Sequence, residues 1–216
     1  MTTTADNLLQ RLQLDRLLDD DGFQFDLRQG VFYNPAGTRC CLLSTDLLRG
    51  VYLALVEEAG EAWSVILKNC GRIWGERLAR RLDKELRGLF QTELGDLSVT
   101  RFVEVMREYF AFHGWGDLTI DTEHTVQRGV VEASLRDSIF LEVVDPGEAM
   151  VDPLMCGILA SLFSYLSQQK LDALQTACPS QGASLSRFLI SAPQRIEMAL
   201  DRLSQGASHS QILEAI

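Results

Sequence analysis

Apolar residues between positions 44 and 113 recur every three or four residues, the spacing that lines one face of an α-helix. Ser44, Thr45 or Asp46 opens the first such stretch, which is apolar on most sides from Leu47 to Leu67 and so predicts a central helix. Asn69 and Gly71 punctuate its end. Trp74, Leu78, Leu82, Leu86 and Phe90 then fall four apart with charges opposite, a second helix that Gly95-Asp96 breaks. Ser98 or Thr100 caps a third through Phe102, Met106, Tyr109 and Phe110, closed by His113-Gly114.

On either side of this helical region the period becomes two. Near the start, Asp6 caps a short helix through Leu8, Leu9, Leu12 and Leu17, ended by Asp19-Asp20-Asp21 and Gly22. Phe23, Phe25 and Leu27 then alternate with polar residues, and Arg28-Gln29-Gly30 turns the chain into Val31-Phe32-Tyr33, a small hairpin before the extended run Cys40 to Leu43. Beyond residue 116, Leu118, Ile120 and Thr122 alternate, a turn falls at His124, and Val126 to Leu135 reads as the returning strand. Pro153 suits the first position of an apolar helix running to about Gln168. Strands over Leu171 to Ala177 and Leu185 to Ser191 follow, then a helix opened by Pro193 and a short helical tail after Gly206. Two hairpins split by a helix favour one antiparallel sheet covered by helices, an α+β arrangement. The expected organisation is an N-terminal extension over 1–43, a main domain over 44–204 and a helical tail over 205–216.

Charge and cysteine content narrow the partners. The 216 residues carry a formal charge of −10, which repels nucleic-acid phosphates. The basic group Arg72, Arg77, Arg80, Arg81, Lys84 and Arg87 shares a helix with an apolar stripe and reads as a solvated face. Five cysteines, an odd number with Cys40 and Cys41 adjacent, fit a reducing compartment better than a disulfide framework. The first residues lack the basic and apolar regions of a signal peptide, and Leu154 to Leu166 is too short for a membrane span. A cytoplasmic protein is expected.

A more specific pattern lies in the order of several segments. Gly71-Arg72-Ile73-Trp74-Gly75-Glu76-Arg77-Leu78 precedes a helix ending in Phe112-His113-Gly114-Trp115-Gly116. Asp152-Pro153-Leu154-Met155-Cys156-Gly157 follows the first hairpin, and Ala177-Cys178-Pro179-Ser180-Gln181-Gly182 leads into Ser186-Arg187-Phe188-Leu189-Ile190. Over about residues 45 to 192 this resembles the 4-vinyl reductase domain family, related in fold to small subunits of vesicle-tethering complexes. The resemblance implies a four-stranded antiparallel sheet packed against a layer of long helices, a homodimer, and a pocket for a hydrophobic small molecule between sheet and helices. With no output domain attached, the chain looks like the stand-alone type of photosynthetic bacteria. A peripheral association with a photosynthetic membrane, through a membrane-protein assembly partner, is then the alternative to a free protein.

In many sensor members of that family a zinc ion is held by three cysteines and an acidic residue. Cys156 and Cys178 match two of these positions, whereas the acidic position falls on Gln175 and the last cysteine on Ser186. A neutral amide and a hydroxyl are poor zinc ligands, so zinc is not expected. A tetrapyrrole metal, or a ligand from a partner subunit, would be other uses of the two thiols.

The candidate ligand-binding set is Trp63, Trp74, Phe102, Phe110, Phe112, His113 and Trp115. Helical spacing alone fits core packing just as well; the resemblance is what favours a cavity. His113 could ligate a tetrapyrrole metal or simply cap its helix, and His124 at a turn reads as solvated. Glu57, Glu58 and Glu61 read as a solvated acidic patch. No nucleophile elbow, phosphate loop or dinucleotide fingerprint is present, so no catalytic residue is assigned. The expectation is a non-enzymatic protein that binds a tetrapyrrole, chlorophyll or a precursor, in pigment handling or photosystem assembly. Its alternative is a protein–protein adaptor with no small ligand.

Overall fold

In the computed structural model, Ser44 begins the helical region: its hydroxyl accepts the Leu47 backbone N–H at 3.3 Å, capping α1 (Thr45–Ala59). Gly60, at φ 54°, ends that helix, and a 3₁₀ turn (Gly60–Ala62) leads into α2 (Trp63–Phe90), the longest element. The structure describes residues 23–144 and 150–216. The helix expected from Asp6 to Leu17 lies outside them.

The single helix expected to stop near Gly71 is therefore two helices, broken eleven residues earlier at Gly60, and Gly71 sits inside α2. Its role is packing. A Cβ on Gly71 would lie 2.1 Å from the Leu154 carbonyl oxygen, and one on Gly157 would lie 2.0 Å from the Lys68 carbonyl oxygen. Both contacts are between α2 and α6 (Pro153–Ser167), whose backbones meet where neither has a side chain.

Helix α3 (Val99–Phe112) starts where the Ser98 hydroxyl accepts the Arg101 N–H. Strand β4 (Asp117–Asp121) follows, after earlier strands β1 (Gln24–Asp26), β2 (Val31–Tyr33) and β3 (Arg39–Cys40). The turn at His124 does not lead straight into a strand. Residues Thr125–Arg128 make a one-turn helix, α4, ended by Gly129 at φ 62°, and β5 covers only Val131–Arg136. Val126, read as strand, is 94% exposed on that turn, so it has no sheet face to bury. The remaining elements are α5 (Phe140–Val143), β6 (Asp172–Ala177), β7 (Ser186–Ser191), α7 (Pro193–Ser204) and α8 (His209–Ala215).

The main sheet has the order β4-β5-β7-β6, antiparallel throughout, with Leu118 opposite Leu135 and Ala133 opposite Phe188. Alternation along β7 separates two cores: Phe188 and Ile190 face the helices, whereas Leu189 joins Val130, Ile196, Ala199 and Ile212 on the other side. Helix α6 is apolar all round because it lies between α2 and the sheet. Lys68 and Arg72 on α2 pair with Asp172 of β6 at 2.8 and 2.7 Å. On the far face, His209 of α8 reaches Thr176 of β6 and Glu132 of β5. The fold is α+β, with a four-stranded antiparallel sheet against long helices. No helix among the described residues is long and apolar enough to cross a membrane.

Strands β1-β2-β3 form a separate antiparallel sheet. Asn34 Nδ2 and Thr38 Oγ1 donate to Glu85 Oε1 of α2 at 3.2 and 2.5 Å, and the Phe23 ring stacks on Phe112 of α3 at 4.8 Å. These contacts hold the small sheet over α2 and α3.

Candidate functional site: an aromatic cleft beneath the N-terminal sheet

The space between sheet and long helices, where a pocket was expected, is filled by α6: Met155, Ile158 and Leu159 are each no more than 1% exposed. The cleft lies on the other side of the helices, roofed by residues from 23 to 43, floored by α2 and α3 and closed at one end by α5 and Leu154. Its volume is 350 Å³, near the lower end of the roughly 300–1,000 Å³ usual for small-molecule sites. Hollows of 620 Å³ around the β1–β2 turn and 520 Å³ beside α8 are shallow surface features, and the first is rimmed by Leu27, 90% exposed.

Aromatic rings make the walls. Trp74 of α2 stacks on Trp115 with centroids 4.6 Å apart, and Phe23 bridges Phe32 of β2 and Phe112 of α3. Gly114, at φ 67°, turns the chain after α3 so that Trp115 folds back over Phe110.

One end of the cleft is polar. Arg81 of α2 donates from Nη2 to the Tyr109 hydroxyl, and the Tyr109 ring stacks on His113 at 4.0 Å. His113 Nδ1 lies 2.7 Å from the Tyr109 carbonyl oxygen, which can only accept, so Nδ1 carries the proton and Nε2 is the acceptor in the neutral ring. Burial lowers the His113 pKa and favours that neutral form. Burial likewise pushes the Tyr109 phenol up to about 12 and raises the Cys40 thiol, so both keep their protons at neutral pH.

Of the residues expected to bind ligand, Trp74, Phe112, His113 and Trp115 line this cleft. Trp63, Phe102 and Phe110 do not. Trp63 packs edge-on against Tyr52, Phe102 edge-on against Phe163, and Phe110 lies beneath Trp115, 1% exposed. The sequence reading missed Phe23, Phe32, Cys40, Arg81 and Tyr109, which also line it. The alternation of Phe23 and Phe25 marked a hairpin, and nothing in the sequence said which helix it covers.

The zinc positions lie elsewhere, where α6 meets β6 and β7. Cys156 is buried and its thiol is pushed up to about 12 by that burial; Cys178 is buried and accepts the Ser180 hydroxyl at 2.9 Å. Gln175 and Ser186 serve a different centre, the carboxylate of Asp152. Gln175 Nε2 donates to Asp152 Oδ2 at 2.9 Å and Ser186 Oγ to the same oxygen at 2.5 Å, while the Ser138 hydroxyl donates to Oδ1. The Asp152 backbone N–H returns a bond to Gln175 Oε1 at 3.0 Å. Asp152, Ser138, Gln175 and Ser186 are all buried. This donor set does not suit zinc: the amide and hydroxyl are neutral and are engaged with Asp152. Among the described residues no group of three or more His, Cys, Asp or Glu side chains is placed to hold a metal ion.

No family model and no curated protein matches the chain. Solved structures do. The phenol-responsive sensory domain of the transcription activator PoxR, solved with phenol, is similar with a TM-score of 0.64 at 20% identity, over 89% of this chain and 92% of that one. Trafficking protein particle complex subunit 3 from Naegleria fowleri, covalently bound to palmitic acid, has a TM-score of 0.51 at 15% identity, over 68% of this chain and 93% of that one. A vinyl-4-reductase family protein from Methanocaldococcus jannaschii has a TM-score of 0.47 at 14% identity, over 88% and 96% of the two chains. The chain therefore has the fold that the resemblance implied, one shared with a sensory domain and a trafficking-particle subunit.

Proposed function

We propose that this chain is a non-enzymatic receptor that holds a hydrophobic small molecule in the cleft between the N-terminal sheet and α2–α3. The observation that carries the reading is the Trp74–Trp115 stack, which shares with Phe112 the lining of a 350 Å³ cleft whose walls come from distant parts of the chain. Support also comes from the fold: the PoxR domain was solved with phenol and the trafficking subunit with palmitic acid. The ligand class we favour is a tetrapyrrole, chlorophyll or a precursor, with a role in pigment handling or photosystem assembly. A cleft of this volume would grip a macrocycle by one edge and leave the rest outside.

Titration with protoporphyrin IX, followed by Soret absorbance and tryptophan fluorescence, tests this. A shifted absorbance band and quenched fluorescence are expected, with Trp115→Ala weakening binding about ten-fold or more, since one aromatic face is lost. An unshifted band removes the tetrapyrrole. If phenol and palmitate also leave the fluorescence unchanged, the receptor reading goes with it.

A second reading, an adaptor or homodimer, rests on α1. Leu47 is 53% and Val51 48% exposed on one side of that helix, and Tyr52 is its only buried residue. Such a face suits another protein, a second copy of this chain or a membrane-protein assembly intermediate. Light scattering that gives the mass of a single chain removes the homodimer.

A further inference from the structure

Seventeen residues line the cleft, and their charges are all of one sign: Arg39 and Arg81 are present, and no aspartate or glutamate. That is notable in a chain whose formal charge is −10. We infer that the ligand is an amphipath with an aromatic or aliphatic body and an anionic head, a carboxylate, which Arg81 and Tyr109 receive at the polar end. The inference deepens the receptor reading and rests on it.

The geometry supplies an unfilled donor set. Arg81 Nη2 donates to the Tyr109 hydroxyl, but its buried Nε has no hydrogen-bond partner among the described residues. Glu85, one turn along α2, pairs with the guanidinium only at a distance too long for a hydrogen bond, although it is buried and its Oε2 has no hydrogen-bond partner among the described residues. Its Oε1 lies 3.9 Å from Arg81 Nε and is taken by Asn34 and Thr38, and Glu85 is not part of the lining. A planar guanidinium with free N–H groups matches a carboxylate better than any neutral group, and a partly desolvated site strengthens that bond. Among the lining residues no anion competes, since Tyr109 and Cys40 stay protonated and His113 stays neutral, while the buried Glu85 carboxylate outside the lining acts on all three. The remaining basic residues with ion pairs on α2 are directed elsewhere, Lys68 and Arg72 to Asp172, Arg80 to Glu76 and Arg87 to Glu93. Arg81 is the α2 cation that lines the cleft. The aromatic walls take the body of the ligand and Arg81 selects its head.

Calorimetric titration with 2-naphthoate and with methyl 2-naphthoate separates head from body, because the two share one ring system. The acid is expected to bind the wild-type protein at least about ten-fold tighter than the ester at low salt, with the gap narrowing as salt is raised. Arg81→Gln should weaken the acid far more than the ester and bring the two affinities together, and Arg81→Lys should keep part of the preference. Equal affinity of acid and ester in the wild type overturns the inference while leaving the receptor reading standing. So does an Arg81→Gln variant that weakens both ligands alike. If neither compound binds, the inference falls, and the receptor reading is left to the porphyrin, phenol and palmitate titrations.

Discussion

Gly157→Ala is expected to lower stability by about 3 kcal/mol or more, the upper end of what overpacking a core costs. The added methyl would sit 2.0 Å from the Lys68 carbonyl oxygen, 2.6 Å from the Arg72 nitrogen and 2.9 Å from the Gly71 carbonyl carbon. All three are backbone atoms of α2, so no side chain can turn aside. Relief requires α6 to move away from α2, and α6 is also packed against β6 and β7. For a chain of this length, 3 kcal/mol corresponds to a drop of roughly 6–12 °C in melting temperature. Gly88, in the same helix as Gly71, has nothing within 4 Å of the place an added methyl would take, so Gly88→Ala serves as the control and should gain up to about 1 kcal/mol from helix propensity. Thermal unfolding of the two variants reads the contrast directly; similar melting temperatures would mean that the α2–α6 contact is looser than the structure has it.

Asp152→Ala should be comparably damaging, by about 3–5 kcal/mol. Removing the carboxylate strands the donors of Ser138, Gln175 and Ser186 in a buried place, and each unsatisfied buried group costs about 1–3 kcal/mol, reduced where a hydroxyl can rotate. The same carboxylate gives stability a defined pH dependence. Burial raises its pKa above the ordinary 3.8 despite the three hydrogen bonds that oppose the shift. The folded state therefore holds the proton more tightly than the unfolded chain. The resulting stabilisation is fully present below the unfolded pKa and is lost as pH rises through the folded one. Asp152→Asn cannot titrate, so the stability of the wild type relative to Asp152→Asn should grow as pH falls from neutral towards 4. Denaturant melts across that range test this, and a constant difference would contradict it.

The elements were largely legible because their periods differ: the fourfold spacing from Trp74 to Phe90 and the alternation at Leu118 and Ile120 both survive in α2 and β4. Gly71 misled because a glycine reads alike whether it stops a helix or admits a neighbour, and only the position of Gly157 in α6 decides between them. That Phe110 and Phe112 part company, one in the core and one in the cleft, was legible. Phe110 and Phe112 stand about 200° apart around a helix, so they cannot share a face, and one of them had to be core. The roof of the cleft was not legible, since it depends on contacts such as Asn34 with Glu85, 51 positions apart. The network around Asp152 was hidden for a related reason. Gln175 and Ser186 register in sequence as ligands a zinc site lacks, and their common partner shows only when α6, β6 and β7 are brought together.

A receptor of the proposed kind must take a small apolar molecule into the space under the N-terminal sheet. Native mass spectrometry of the wild type and of Leu48→Trp, a substitution at the cleft wall, after incubation with a mixture of aromatic and long-chain acids, tests it most directly. One retained small molecule per wild-type chain is expected, and little or none on an equally folded Leu48→Trp. A wild type that stays bare, or a variant that loads equally, would contradict it.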